Sequence, residues 1–198
     1  AKVQENTLNL NDDQDLYGIN ANYALNKKTT LEAYWFEKRT GYKPNATAAG
    51  TGDANRGKKD TVSTVGARLA ATPKENLIVS LESAYQFGNF YTAGSDTNPM
   101  ASRSAWAAEG ALGYTFKKVK YTPSFTLLAA YFSGEGRDFN EESKGTNHAW
   151  DPMFENQKYG DIANALFNQS NAKIIGAIVS AKAMDDLTLS GEVYGFWW

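Results

Sequence analysis

Apolar and polar residues alternate at period two along eight stretches of this chain, and the connections between them are short and long in turn. Gln14–Leu25 leads through Asn26-Lys27-Lys28 into Thr29–Arg39, and a long polar loop follows to Asp60. Thr61–Thr72 leads through Pro73–Asn76 into Leu77–Phe87, before a second long loop to Arg103. Ser104–Phe116 leads through Lys117–Lys120 into Tyr121–Phe132, before a third loop, Ser133–Asn171. Ala172–Ala183 leads through Met184–Asp186 into Leu187–Trp198. Each stretch supplies the roughly 9–11 residues that a tilted strand needs to cross a bilayer. Backbone groups in lipid must all be paired, so such strands have to close into a ring. Tight turns at one end and long loops at the other are the marks of an outer-membrane barrel. The pattern predicts an all-β fold, an antiparallel transmembrane β-barrel of the bacterial outer membrane.

Successive side chains of a strand point to opposite faces, so the alternation assigns an environment to each residue. Leu69, Leu81, Leu112, Leu127, Val179 and Leu189 fall on the apolar faces and are expected to meet lipid. Glu32, Arg68, Glu82, Glu109, Lys182 and Glu192 fall mid-strand on the polar faces and are expected to line a lumen. Tyr17, Trp35, Tyr85, Trp106, Tyr114, Tyr131 and Trp197 gather near strand ends, where interfacial girdles of aromatics belong. Arg68 and Glu82 stand seven residues either side of Glu75, so an antiparallel hairpin sets them face to face as an ion pair. A soluble barrel or sandwich would bury the apolar faces instead. Alanines beside large aromatics on those faces, isolated charges opposite them and tight turns at one end only disfavour that alternative.

Composition adds exclusions. A net charge of −2 points to neither nucleic acid nor an anionic membrane surface. Mean hydropathy of −0.51 is low for a helical membrane protein but ordinary for a barrel, which shows lipid only every second residue. Cysteine is absent, which removes disulfides, thiol nucleophiles and thiolate metal sites. His148 is the single histidine and lies in the third loop without a ligand or nucleophile set, so it reads as solvated. No catalytic residue, metal or cofactor is assigned. Asn11–Asp15 is acidic and reads either as a solvated run or as a Ca²⁺ loop. Arg56–Lys59 reads as an exposed loop or a contact for lipopolysaccharide. The opening AKVQENTLNLNDDQ lacks the basic and apolar regions of a secretory leader. Residues 1–198 read as one barrel domain. Its topology puts both Ala1–Asn11 and Trp198 on the long-loop side, which predicts an internal segment of a larger barrel. A complete eight-stranded barrel is the alternative.

The third loop carries Ser133-Gly134-Glu135, then Trp150-Asp151-Pro152-Met153-Phe154, then Tyr159-Gly160. This resembles the loop pattern of the alginate export family of outer-membrane porins, in which S-G-D ends a strand and an F-D-P-L-F-like segment and a Y-G pair follow. Glu135 departs from the family's aspartate and Trp150 from its phenylalanine. The hairpins GARLAATPKENLIVSLESAYQFG and NAKIIGAIVSAKAMDDLTLSGEVYGFWW are similar to the family's barrel repeats. The resemblance implies a single-chain barrel of about 16–18 strands that passes a polysaccharide or another polar solute. Its surroundings would be outer-membrane lipid and lipopolysaccharide, and partner proteins in the periplasm or at the surface are also admitted. Four acids against two bases on the polar faces make a poor lining for a polyanion such as alginate. Two functions stay open: a pore or exporter whose third loop folds inward to narrow the lumen, and a non-conducting structural or partner-filled barrel. An enzyme lacks a nucleophile and base. Trp150, Met153, Phe154, Tyr159 and Phe167 give the third loop too much apolar surface to stay solvated, so part of it should be ordered, with a helical turn in DIANALF.

Overall fold

Alternating β-branched, aromatic and small residues favour a pleated, half-buried surface, and the chain folds as strands wherever that alternation holds. The computed structural model describes residues 14–41, 59–91, 100–135, 146–153, 159 and 169–198. Its strands are β1 (Gln14–Asn26), β2 (Thr29–Gly41), β3 (Lys59–Lys74), β4 (Leu77–Tyr91), β5 (Met100–Thr115), β6 (Ser124–Phe132), β7 (Thr146–Asn147), β8 (Ala172–Lys182) and β9 (Thr188–Trp197). They form one antiparallel sheet in the order β1-β2-β3-β4-β5-β6-β8-β9, open at the β1 and β9 edges among the described residues. The two-residue β7 adds a parallel pairing to β5 at Ser102–Arg103. Among these residues no helix is long and apolar enough to cross a membrane, which says nothing of strands.

The two faces differ as the alternation requires. Leu81, Leu112, Leu127, Val179 and Leu189 project from the outer face and are exposed, with Leu69 half-buried beside them. On that face Trp35, Val65, Tyr85 and Trp106 form one row across four strands. Tyr131 packs on Trp106 at 4.4 Å between ring centroids. Trp106 and Phe116 lie ten residues apart on the same face. At about 3.3 Å per residue and a tilt of about 40°, that spans about 25 Å of membrane, the height of a barrel's apolar band. A continuous apolar surface this large needs lipid or protein against it. The inner face is where side chains are buried: Val62, Ala84, Ala105, Ala107, Ala130 and Ile174 lie there, the last three in one cluster with Tyr159 of the third loop.

Several boundaries depart from the sequence pattern. β6 begins at Ser124 rather than Tyr121, because Tyr121 and Thr122 take left-handed backbone angles (φ 68° and 40°) in the turn from β5. That turn is closed by Phe116 N–H donating to Pro123 O (2.8 Å) and Thr122 N–H to Val119 O (3.0 Å). β3 and β5 start earlier than the alternation suggests, since pairing continues through Thr40 opposite Asp60 and Gly88 opposite Arg103. β3 also runs past Pro73, which is accommodated by a register shift between Ala71 and Lys74. The acidic run before Gln14, Arg56–Lys58, the DIANALF segment, Phe154 and Gly160 lie outside the described residues.

Candidate pore wall and inward loop

A charged row crosses the inner face at mid-strand. Glu32 faces Arg68, Arg68 faces Glu82, and Glu82 faces Glu109 across successive strand pairs. The hairpin register derived from the turn at Glu75 is therefore the one the fold adopts. The Arg68 guanidinium lies between two carboxylates, 3.7 Å from Glu32 and 3.9 Å from Glu82. These separations and the partial exposure of all three make the pairs weak in stability, about 0–1 kcal/mol each. Tyr34 adds the shorter contact, its hydroxyl donating to Glu82 Oε1 at 2.8 Å. It reaches there by lying over Gly66, where an added Cβ would come 2.3 Å from Tyr34 Cζ. The glycine is what lets the ring lie flat on the wall.

The third loop is tied to this wall through the residues of its motif. Ser133 is buried and joins four segments. Its N–H donates to Trp106 O (2.9 Å), and its carbonyl accepts from Trp150 N–H (2.9 Å) and Asn171 N–H (3.0 Å). Its Oγ accepts from Trp106 N–H (2.9 Å) and donates to His148 O (2.7 Å). Gly134 lets the two ends of the loop meet, since a Cβ there would stand 2.0 Å from Asn171 Cβ. The Glu135 carboxylate accepts the backbone N–H groups of His148 and Ala149. Ser-Gly-Glu thus gathers both ends of the loop and turns its middle onto the inner face.

Trp150 and Asp151 then seat the loop. Trp150 packs against Phe132 (6.1 Å between centroids). The Gln86 side-chain amide behaves like a strand partner for Asp151, donating to its carbonyl (2.7 Å) and accepting its N–H (2.9 Å). Lys38 Nζ donates to both Asp151 carboxylate oxygens, at 2.8 and 3.0 Å. Arg103, almost wholly buried, places Nη2 3.9 Å from Asp151 and 3.6 Å from Asp60, and Nη1 donates to Ala149 O (3.3 Å). The same carboxylate accepts Met153 N–H at 2.6 Å, folding the chain after Pro152 back on itself. Further along, buried Tyr159 packs edge-on to Phe132 and Tyr194 (6.2 Å each) and donates its hydroxyl to Glu109. Burial first, and that hydrogen bond next, push the Tyr159 phenol well above its ordinary pKa, so it stays a donor.

The remaining expected residues scatter. Glu192 is exposed near the β9 edge and accepts from Tyr194 OH (2.8 Å). Lys182 is not mid-strand: it closes β8 at a short turn and pairs there with Asp185 (3.1 Å). Tyr17, Trp35, Tyr85, Trp106, Tyr131 and Trp197 stand toward the long-loop end and Tyr114 toward the short turns, Tyr17 with the Arg39 guanidinium 5.3 Å from its ring centre. His148 is exposed, its Nδ1 2.8 Å from Ser104 O. Sequence reasoning missed Tyr34, Asp60 and Arg103. Arg103 shares strand parity with Glu109, and Asp60 with Arg68, so extending each strand by a few residues would have placed both on the inner face. Among the described residues no cluster of acids and histidine could hold a metal. The family model described as Alginate export matches residues 2–198. No curated protein matches the chain.

Proposed function

From the chain's membership of the alginate export family, a family of outer-membrane transport proteins, we propose that its inner face lines an aqueous path for a polar solute or polysaccharide. In this reading Glu32, Arg68, Glu82, Glu109 and Glu192 meet water inside the barrel, and the leucines of the opposite face meet lipid and, in the outer leaflet, lipopolysaccharide. One observation carries it. Thr146–Met153 lies on the inner face and is held by Lys38, Gln86 and Arg103, side chains of three different strands. A loop pinned to an inner wall narrows a path, which sets the size of what passes and leaves charge to set its kind. Among the described residues no nucleophile and base stand together on this wall, and the groups it does present suit recognition and passage. The test is single-channel conductance of the native polypeptide in a planar bilayer. Discrete, ohmic openings are expected. A protein that inserts, resists heat-unfolding in detergent and yet conducts nothing would refute the reading in favour of a non-conducting barrel.

A further inference from the structure

Charge is segregated along the rim of short turns. Three of these turns stand side by side, joining β1 to β2, β3 to β4 and β5 to β6. Their eleven residues, 26–28, 73–76 and 117–120, hold six lysines and one acid, Glu75, in a chain whose net charge is −2. All eleven are described, and all six lysines are exposed. Lys117 stands 3.7 Å from Glu75, an exposed pair that contributes little. Lys120 lies 4.8 Å from the ring centre of Tyr121. Among the described residues Lys27, Lys28, Lys74 and Lys118 meet no carboxylate within 4 Å. The fourth turn differs, since Lys182 pairs there with Asp185 and Asp186 follows.

Neighbouring turns are tied to one another, so the lysines stand on a fixed rim. Thr72 N–H donates to Lys28 O (2.7 Å) and Thr115 N–H to Asn76 O (2.9 Å). The outer apolar face ends at this level with Leu25, Tyr114 and Phe116, and Val119 and Tyr121 carry exposed apolar surface on into the third turn. At about 3.3 Å per residue and a tilt of about 40°, the turns lie within about 10 Å of that edge, at the depth of a bilayer's headgroups. We propose that these three turns form a binding rim for anionic phospholipid headgroups, with Lys27, Lys28, Lys74 and Lys118 contacting the phosphates. Each ammonium group donates charge-assisted hydrogen bonds to phosphate oxygens, while its stem lies along the apolar edge. A soluble acidic partner or a polyanionic glycan would meet the same charge but would not account for a rim continuous with the apolar band. Each lysine is expected to favour an anionic over a zwitterionic lipid by about fivefold at low salt. The rim requires strands that cross a bilayer and is independent of conduction, so a non-conducting barrel leaves it standing.

Electron spin resonance tests it, with the native polypeptide in phosphatidylcholine vesicles that carry a trace of spin-labelled phosphatidylglycerol or phosphatidylcholine. Phosphatidylglycerol is expected to be immobilised in excess over phosphatidylcholine, and the excess to vanish in about 1 M KCl. Lys27→Gln, Lys28→Gln, Lys74→Gln and Lys118→Gln together should remove most of the excess, and the four corresponding arginine substitutions should keep it. No preference for phosphatidylglycerol, or an excess that the glutamine variant retains, would overturn the proposal. So would an equal loss in the glutamine and arginine variants, because the second keeps the charge. Displacement of the excess by a uronate oligosaccharide or inorganic phosphate, at constant ionic strength, would assign the rim to soluble anions and overturn the lipid reading.

Discussion

Asp151→Asn isolates the electrostatic part of loop docking. The change keeps the shape of the side chain and the Oδ1 that accepts from Met153 N–H. It also keeps the backbone clamp to Gln86, at 2.7 and 2.9 Å. What it removes is the negative charge facing Lys38 at 2.8 and 3.0 Å and Arg103 at 3.9 Å. The Lys38 and Asp151 side chains are 14% and 20% exposed, so water screens this pair less than a surface one. A hydrogen bond to a charged group contributes about 1.5–3 kcal/mol, and the two cations left facing a neutral amide add to the cost. At 1.4 kcal/mol per tenfold, the ratio of docked to undocked loop should fall about 10- to 100-fold. Hydrogen exchange reads this directly, because Trp150 N–H is held by Ser133 O and Asp151 N–H by Gln86 Oε1. Both amides should lose protection by that factor, while strand amides of Leu69 and Leu81 keep theirs. Protection at Trp150 and Asp151 unchanged within about threefold would refute the claim that charge seats the loop. An equal loss in the strands would show that the whole barrel had been weakened instead.

Gly66→Ala should lift Tyr34 from the wall and break its bond to Glu82, costing about 1–2 kcal/mol in denaturant unfolding, whereas Tyr34→Phe in the Gly66→Ala background should add little. Additive losses in that pair would mean that Tyr34 does not act through Gly66. Leu112→Arg puts a charge on the outer face near mid-band and should cost about 2–4 kcal/mol in a phospholipid bilayer, and a neutral effect would place Leu112 in water. The chain has no cysteine of its own, so single cysteines can be read without background. At positions 32, 82 and 109 a water-soluble thiol reagent should react in the folded, membrane-inserted protein, and at 81, 112 and 127 it should not. Equal labelling of both sets would reverse or abolish the assignment of faces.

How far a sequence can be read depends on the distance over which each feature is determined. Strand pairing is local: a tight turn fixes register, and period two fixes faces, so counting from Glu75 put Arg68 opposite Glu82. Counting fails where the turn itself is irregular. Tyr121 continues the alternation of Phe125 and Leu127, yet left-handed angles at Tyr121 and Thr122 take it out of the strand. The inward loop is another matter, because its partners are remote. Asp151 meets Lys38 across 113 residues and Gln86 across 65, and no periodicity links them. The apolar content of the loop argued for order, and the structure gives it in Thr146–Met153 and at Tyr159, but apolar content says nothing of which wall is covered. That wall did leave a trace. Toward the long loops the inner parity carries Lys38, Asp60, Thr64, Gln86 and Arg103 in place of small or apolar residues, and of these Thr64, Gln86 and Arg103 are buried in the fold. Polar side chains at positions that face a water-filled lumen need no partner. Buried ones do, so the burial of Gln86 is what distinguishes a docked loop from an open mouth, and only the structure supplies it. The motif residues gain their physical sense at the same point. Ser133, Gly134 and Glu135 gather the ends of the loop so that Asp151 arrives over Gln86, and the motif reads as a folding instruction.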